Sequence, residues 1–188
     1  MKTRRHKKTE GLSWRAFVDE WRSWFESKGP IFAFGLKFGL LMALFYGVFL
    51  LPVSLRLWAT FLEANAWAAN GILHAIGQHS TLSGTIISSP QFSMAISRGC
   101  EASGPTWLFC AAVLAYPAGL KSRLLGVVVS LVFFQALNLV RIVSLYFIGS
   151  YAPSYFNLAH LEVWPMVFIL AVLSLMIGWI NWAKRADA

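Results

Sequence analysis

Three residues that lie far apart in the sequence could together support nucleophilic chemistry: Cys100, Arg141 and His160. A cysteine thiolate attacks carbonyl carbons, a histidine carries the proton, and a cationic or amide donor stabilises the oxyanion that forms. These residue types are therefore suited to covalent acyl transfer. Each also has an ordinary interpretation, because a lone cysteine is usually a core residue, an interfacial histidine is often only solvated, and the arginine could bind a lipid phosphate or pair with Glu162.

The residues around Cys100 predict the start of a helix. Ser103 is suited to capping this helix and Pro105 to its first turn, so unpaired amides and the positive end of the helix dipole would lie near the sulfur and favour the thiolate. A carboxylate at Glu101 would act in the opposite direction if it is ionised and close. The second cysteine, Cys110, is predicted to be a core residue in the middle of an apolar segment.

Arg141 belongs to a polar stripe within an apolar segment. Gln135, Asn138 and Arg141 follow one another at intervals of three residues, so they share one face of a helix. An arginine within a membrane span costs about 2.5–3.5 kcal/mol on insertion scales and normally marks a functional group or a paired charge. At about 1.5 Å per residue, Arg141 would lie roughly 25 Å from the cytoplasmic end of a span that begins at residue 124, close to the outer boundary of the bilayer core.

Four apolar runs are expected to position these residues. The chain has 188 residues, of which 57% are hydrophobic and only 13% charged, and this composition excludes an ordinary soluble domain and a disordered chain. Runs that match or approach the length of a membrane helix, about 17–25 residues, lie at 31–51, 104–120, 124–149 and 161–183, and the second is the weakest. We therefore predict an all-α membrane protein with about four transmembrane helices.

The positions of the basic residues predict the orientation of these spans. Eight of the 16 lysines and arginines precede residue 29, and further clusters lie at 121–123 and 184–185. The positive-inside rule places all of these in the cytoplasm, together with both termini. Residues 52–103 would then lie outside, and the cysteine, arginine and histidine named above would meet at the outer face. No clustered basic face on a folded module indicates nucleic-acid binding, and the late start and length of the first run argue against a cleaved signal peptide.

The segments outside the spans have predictable structure as well. Residues 1–30 form a basic cytoplasmic segment, within which residues 12–27 have the spacing of an amphipathic helix. Its three tryptophans favour a helix in the headgroup region over the core-facing helix of a small domain. The membrane domain would then occupy residues 31–188. In its outer segment, residues 55–77 predict an amphipathic helix and residues 82–97 a short hairpin or extended loop. The remaining histidines are interpreted as surface residues, although two of them are alternative bases on the outside: His6, His74 and His79.

Over roughly residues 82–182 the sequence resembles the exosortase/archaeosortase family of multi-pass membrane cysteine transpeptidases. The resemblance is carried by GCEA at 99–102, AYPAGLKSRLLG at 115–126, QALNLVRIVSLY at 135–146 and NLAHLEVWP at 157–165. It is also carried by the order Cys, Asn-x-x-Arg and His, each at the outer end of a span. Within the family, the subgroup called exosortase H is the most similar.

The resemblance implies roles and partners. Cys100 would be the nucleophile, Arg141 the essential arginine and His160 the general acid and base, with supporting or substrate-binding roles for Gln135, Asn138 and Glu101. Substrates would be exported proteins with a C-terminal sorting signal, which consists of a short motif, a transmembrane helix and a basic tail. Cleavage would take place at the outer face of the bacterial cytoplasmic (inner) membrane, in contact with its lipids, with transfer of the acyl group to an acceptor. No metal or cofactor is implied.

The sequence departs from the family pattern directly after the nucleophile. Asn-Gly or Ser-Gly is expected there, whereas this chain has Glu101 and Ala102. The carboxylate could disfavour the thiolate, orient His160, or pair with Arg98 or Arg141.

Two other kinds of protein are alternatives to an enzyme. One is a non-enzymatic assembly or anionic-lipid-binding membrane protein, in which Asn138 and Arg141 hold a headgroup. The other is a small transporter, which is disfavoured because the four spans contain one strongly polar stripe and no pair of broken helices.

Overall fold

The computed structural model describes residues 14–187, and helices dominate it. The helices are α1 Trp14–Phe49, α2 Pro52–Ala75, α3 Ser103–Ala115, α4 Leu120–Tyr151, α5 Phe156–Leu158 and α6 Trp164–Ala186. An antiparallel sheet of three short strands precedes α3: β1 Thr81–Ser83, β2 Ile86–Ser88 and β3 Ser93–Ala95. This architecture confirms the predicted all-α membrane protein, with a short β element where residues 82–97 predicted one. The basic residues at the extreme N-terminus, with His6, lie outside the described residues.

Three helical regions are long and apolar enough to cross a bilayer: Glu26–Val48, Leu120–Tyr151 and Pro153–Ala186. They correspond to the first, third and fourth predicted spans. Many of their apolar side chains are exposed, as Leu40, Val132 and Ile169 show. Helices that present apolar side chains outward need lipid around them, so the chain is a membrane protein.

The second predicted span is shorter than the sequence suggested. Helix α3 ends at Ala115 and has 13 residues, which is about 20 Å of helix against a bilayer core of about 30 Å. It stops because Tyr116 precedes Pro117 and adopts an extended conformation, with φ −69° and ψ 140°, as the proline ring requires of its neighbour. The predicted end of this span at residue 120 was therefore wrong.

The predicted amphipathic helix at the N-terminus is the first part of a longer helix. Helix α1 has 36 residues and continues through Pro30, so its described part extends about 54 Å. Trp14, Trp21 and Trp24 are exposed along it, at the spacing of one helix face. Residues 14–27 are thus helical, as predicted, but no break separates them from the first span.

Helix α4 is the central element, because it contributes to both apolar cores. One core joins α4 to α2 and the sheet, and it contains Leu62, Ala66, Leu73, Ile87, Ile142 and Tyr146. The other core joins α4 to α3 and α6, and it contains Phe109, Val113, Phe134, Phe168 and Trp179. Gly149 lets the connection between β2 and β3 approach α4 closely, since an added Cβ would collide with the ring of Phe92. The residues in the middle of α4 are thereby held between the two cores.

Candidate active site

The structure brings Cys100, Arg141 and His160 together from three different segments. The Sγ atom of Cys100 lies 3.9 Å from Nε2 of His160, which is within reach of a hydrogen bond to sulfur. All three residues line one cleft of about 270 Å³. The rest of its lining is largely apolar and comes from the sheet, α4 and α5: Phe92, Ser93, Met94, Ala95, Ile142, Leu145 and Phe156. We call this space the thiol cleft.

Cys100 lies in a tight turn just before α3. Gly99 and Ala102 on either side of this turn have positive φ values, 92° and 53°, and the backbone N–H of Cys100 donates to the carbonyl oxygen of Ser97 over 3.0 Å. The thiol itself is buried, with 8% of the residue exposed. The backbone therefore holds the sulfur in one place, just before the N-terminus of α3, which begins three residues later at Ser103.

The predicted serine cap of this helix was wrong. The N-cap residue is Ala102, which makes no side-chain cap bond, and Ser103 is the first helical residue. The hydroxyl of Ser103 instead donates to Oε1 of Glu101 over 3.0 Å, across Ala102, which has a positive φ. Pro105 lies in the first helical turn, as predicted.

Glu101 is buried and stabilises the turn to which it belongs. Only 3% of this residue is exposed, and its Oε2 accepts the backbone N–H of Gly99 over 2.6 Å. Hydrogen bonds to an ionised carboxylate are shorter and stronger than those between neutral groups. The side chain therefore joins the residue before Cys100 to the residue that starts α3, and these two hydrogen bonds lie within the turn rather than on His160.

Arg141 contacts the same turn through its guanidinium group. Its Nη1 donates to the carbonyl oxygen of Gly99 over 3.1 Å, while the guanidinium carbon lies 5.8 Å from the centre of the Phe168 ring, within cation–π range. This buried side chain lines the thiol cleft together with Cys100. Its Nε is buried and has no hydrogen-bond partner among the described residues. Glu162, the other partner considered for this arginine, is exposed.

His160 lies in a π-helical segment, Ala159–Val163, between α5 and α6. Such segments are rare and occur frequently at functional sites. The imidazole is partly exposed, and its ring meets the ring of Phe156 edge-on at 5.7 Å. The indole N–H of Trp164 donates to the hydroxyl of Ser144 over 3.1 Å, so the start of α6 is tied to α4 one turn beyond the arginine.

The other members of the polar stripe make contacts away from the thiol. Gln135 and Asn138 both donate to Oδ1 of Asn65, over 2.6 and 3.0 Å. Asn65 lies on α2 and donates in turn to the carbonyl oxygen of Phe61. Sequence reasoning missed Asn65, although its position in the buried stripe of α2, between Leu62 and Ala69, was a signal that could have found it. A polar side chain in such a stripe normally has a buried partner.

The remaining cysteine and histidines lie elsewhere. Cys110 is buried in α3, 3.2 Å from the hydroxyl of Ser130, as expected of a core residue. Nε2 of His74 is 2.6 Å from the carbonyl oxygen of Ser80. Neither His74 nor His79 is among the described residues that line the thiol cleft.

Comparison with known families matches residues 31–178 to the model described as transmembrane exosortase (Exosortase_EpsH). The matched range contains α2 to α5, the sheet and all three residues of the thiol cleft that could do chemistry. No curated protein matches the chain, and no solved structure matches it.

Proposed function

Because the chain belongs to the transmembrane exosortase family, we propose that it is a membrane cysteine peptidase and transpeptidase that acts on sorting signals. It cleaves the C-terminal sorting signal of exported proteins at the outer face of the bacterial cytoplasmic membrane, and it transfers the new acyl group to an acceptor. Both termini are cytoplasmic in this proposal, which the basic clusters at 121–123 and 184–185 support.

The observation that carries the proposal is the distance of 3.9 Å between Sγ of Cys100 and Nε2 of His160. A proton can pass between these atoms, which leaves a thiolate beside an imidazolium. The thiolate attacks the scissile carbonyl carbon and forms a tetrahedral intermediate. When the C–N bond breaks, His160 returns the proton to the departing amine, and the acyl group remains on sulfur as a thioester. An acceptor amine or water then attacks the thioester, loses its proton to His160, and regenerates the thiol.

Arg141 contributes charge and position rather than a proton. Its contact with the Gly99 carbonyl orients the turn that holds the sulfur, and it places a positive charge in the cleft that Cys100 also lines. Because the side chain lines the thiol cleft, its guanidinium offers a donor for the oxyanion or for another oxygen of the bound peptide. Pre-organised donors of this kind are worth roughly 100- to 1,000-fold in rate.

The test compares three variants in the source cells: Cys100→Ala, His160→Ala and Cys110→Ala. Mass spectrometry of membrane proteins would measure the fraction that retains an uncleaved C-terminal segment. We expect uncleaved substrate to accumulate in the first two variants, while each variant protein inserts in normal amounts. Cys110→Ala is the matched control, since that thiol lies in the core. If cells with Cys100→Ala process the substrate as well as cells with the unchanged protein, the proposed enzymatic function is refuted.

The alternative, an anionic-lipid-binding protein that uses Asn138 and Arg141, receives less support. Asn138 is fully buried and bonded to Asn65, and only 6% of Arg141 is exposed. A headgroup would have to displace these contacts. That alternative predicts that Arg141→Ala impairs function while Cys100→Ala does not, so the same set of variants distinguishes the two proposals.

A further inference from the structure

A second and larger space also borders the Cys100 turn. It has a volume of about 650 Å³ and is lined by three helices, α1, α3 and α6, of which α3 packs against both of the others. We call this space the lateral groove. Its apolar lining includes Phe45, Tyr46, Pro105, Leu108, Phe168 and Ile169. The thiol cleft, by contrast, is formed mainly by the sheet, α4 and α5.

Arg141 connects the two spaces, because it lines both of them. The polar end of the lateral groove is formed by the turn itself, through Gly99, Glu101 and Ser103. Of the two spaces, only the thiol cleft is lined by Cys100, and the groove borders it at Arg141. The groove is thus adjacent to the reaction site rather than a remote surface.

The groove lies at a defined depth. On α6 its lining extends from Pro165 to Val172, which lie about 7 and about 18 Å along the helix axis from His160. In a bilayer core about 30 Å thick, the groove therefore reaches from near the end of the span that carries His160 to about the middle of the core. Phe168 and Val172 are buried at its base, whereas Tyr46 and Ile169 are each 58% exposed. An occupant can therefore approach sideways, from within the membrane.

We propose that the lateral groove binds the apolar membrane segment of the protein substrate, the part that follows the scissile bond. This inference rests on the proposed function. It divides the site into two parts: the thiol cleft holds the residues before the bond, and the groove holds the first turns of the helix after it. A lipid acyl chain is the competing occupant. The shared Arg141 favours the peptide, because a segment joined to the scissile residue must lie next to this turn, whereas a free lipid need not.

Two neighbouring residues of α6 provide a matched test. Ile169 lines the groove and Leu170 does not, yet both are 58% exposed, and consecutive helical residues point about 100° apart. The photocrosslinker benzoylphenylalanine would be placed at each position in a Cys100→Ala chain, within the source cells. We expect position 169 to crosslink to the apolar helix of the protein that accumulates uncleaved in the Cys100→Ala strain, and position 170 to crosslink to lipid. Lipid adducts at both positions, or equal capture of that protein, would overturn the proposal.

A tryptophan at either position gives a second readout. In an otherwise unchanged chain, Ile169→Trp fills the groove, and processing should fall about tenfold, which corresponds to 1.4 kcal/mol. Alkylation of Cys100 by iodoacetamide should stay at its original rate, because the thiol cleft is untouched. Leu170→Trp should process normally. If the two variants process equally well while Cys100→Ala is inactive, the groove proposal fails and the proposed function stands. If Cys100→Ala processes normally, the proposed function fails, and the groove proposal with it.

Discussion

Replacing Gly99 by alanine tests whether the backbone of the turn holds the thiol in its reactive position. Gly99 has φ 92°, and an added Cβ would meet no atom within 4 Å. The substitution therefore introduces backbone strain without a steric collision. A non-glycine residue in the left-handed region costs roughly 1–2 kcal/mol, so the turn should relax into another conformation and populate the observed one less often.

A penalty of this size corresponds to a factor of about 5–30 in population. Since only the observed turn places the sulfur 3.9 Å from the imidazole nitrogen of His160, the apparent rate should fall by the same factor. Two assays would measure it: the rate of substrate processing, and the rate of alkylation of Cys100 by iodoacetamide with mass-spectrometric readout. Both rates should decrease together in Gly99→Ala.

The chain offers a matched control in Gly84, which lies in the turn between β1 and β2. It also has a positive φ, 60°, and open space at the Cβ position. Gly84→Ala should introduce comparable backbone strain and leave both rates within about twofold of the parent, since it changes the stability of a turn rather than the site. If Gly99→Ala reacts and processes like the parent, or if both variants slow equally, the turn does not position the nucleophile.

Three further predictions concern the contacts around the site and the end of the chain. Glu101→Gln keeps the shape of the side chain but removes its charge, which weakens its hydrogen bonds by about 1 kcal/mol. Processing should slow about fivefold at unchanged protein abundance, and an unchanged rate would show that the charge is dispensable. Asn65→Ala removes the acceptor shared by two amides of α4. At about 0.6 kcal/mol for each hydrogen bond in a membrane, the free energy of unfolding should fall by about 1 kcal/mol. Thermal unfolding in detergent would measure this loss, and an unshifted midpoint would contradict it. Finally, the N–H of Gly119 and the hydroxyl of Ser122 lower the pKa of Asp187 below its usual value of 3.8. These hydrogen bonds therefore stabilise the fold at pH values above 3.8. The stabilisation is lost as the pH falls through the lower pKa that Asp187 has in the folded state. Asp187→Asn should therefore lose less stability than the parent between about pH 5 and about pH 3 in an unfolding titration, and equal losses would refute the assignment.

The spans could be predicted because a bilayer imposes a simple rule of length and apolarity. The runs that became α1, α4 and α6 are long and poor in charge, so their existence followed from composition alone. The early end of α3 was missed for a local reason. Pro117 restricts the residue before it, whereas the apolar character of the run continues to Leu120 and conceals the stop.

The site could be predicted in part, because the predicted topology brings one end of several spans to the same face. The positions of the basic residues predicted that Cys100 and His160 would lie at that one face. The partner of Glu101 could not be predicted in this way. Its bonds depend on two positive φ values, at Gly99 and Ala102, and alanine gives no sequence signal for such a conformation. Asn65 was missed because its partners are about 70 residues away.

The π-helical segment that carries His160 makes the direction of the imidazole independent of the packing of α6, whereas a regular helix would couple the two. An α-helix advances about 100° per residue, and a π turn contains one extra residue. The imidazole is therefore out of phase with the packing stripe of α6, which includes Phe168, Val172 and Trp179. Substitutions at exposed positions of α6, such as Leu173 and Ile177, can adapt the helix to a different bilayer without redirecting the imidazole. Conversely, deletion of one residue within 159–163 would restore a single helical phase and rotate the imidazole away from the sulfur, while shortening the span by only about 1.5 Å.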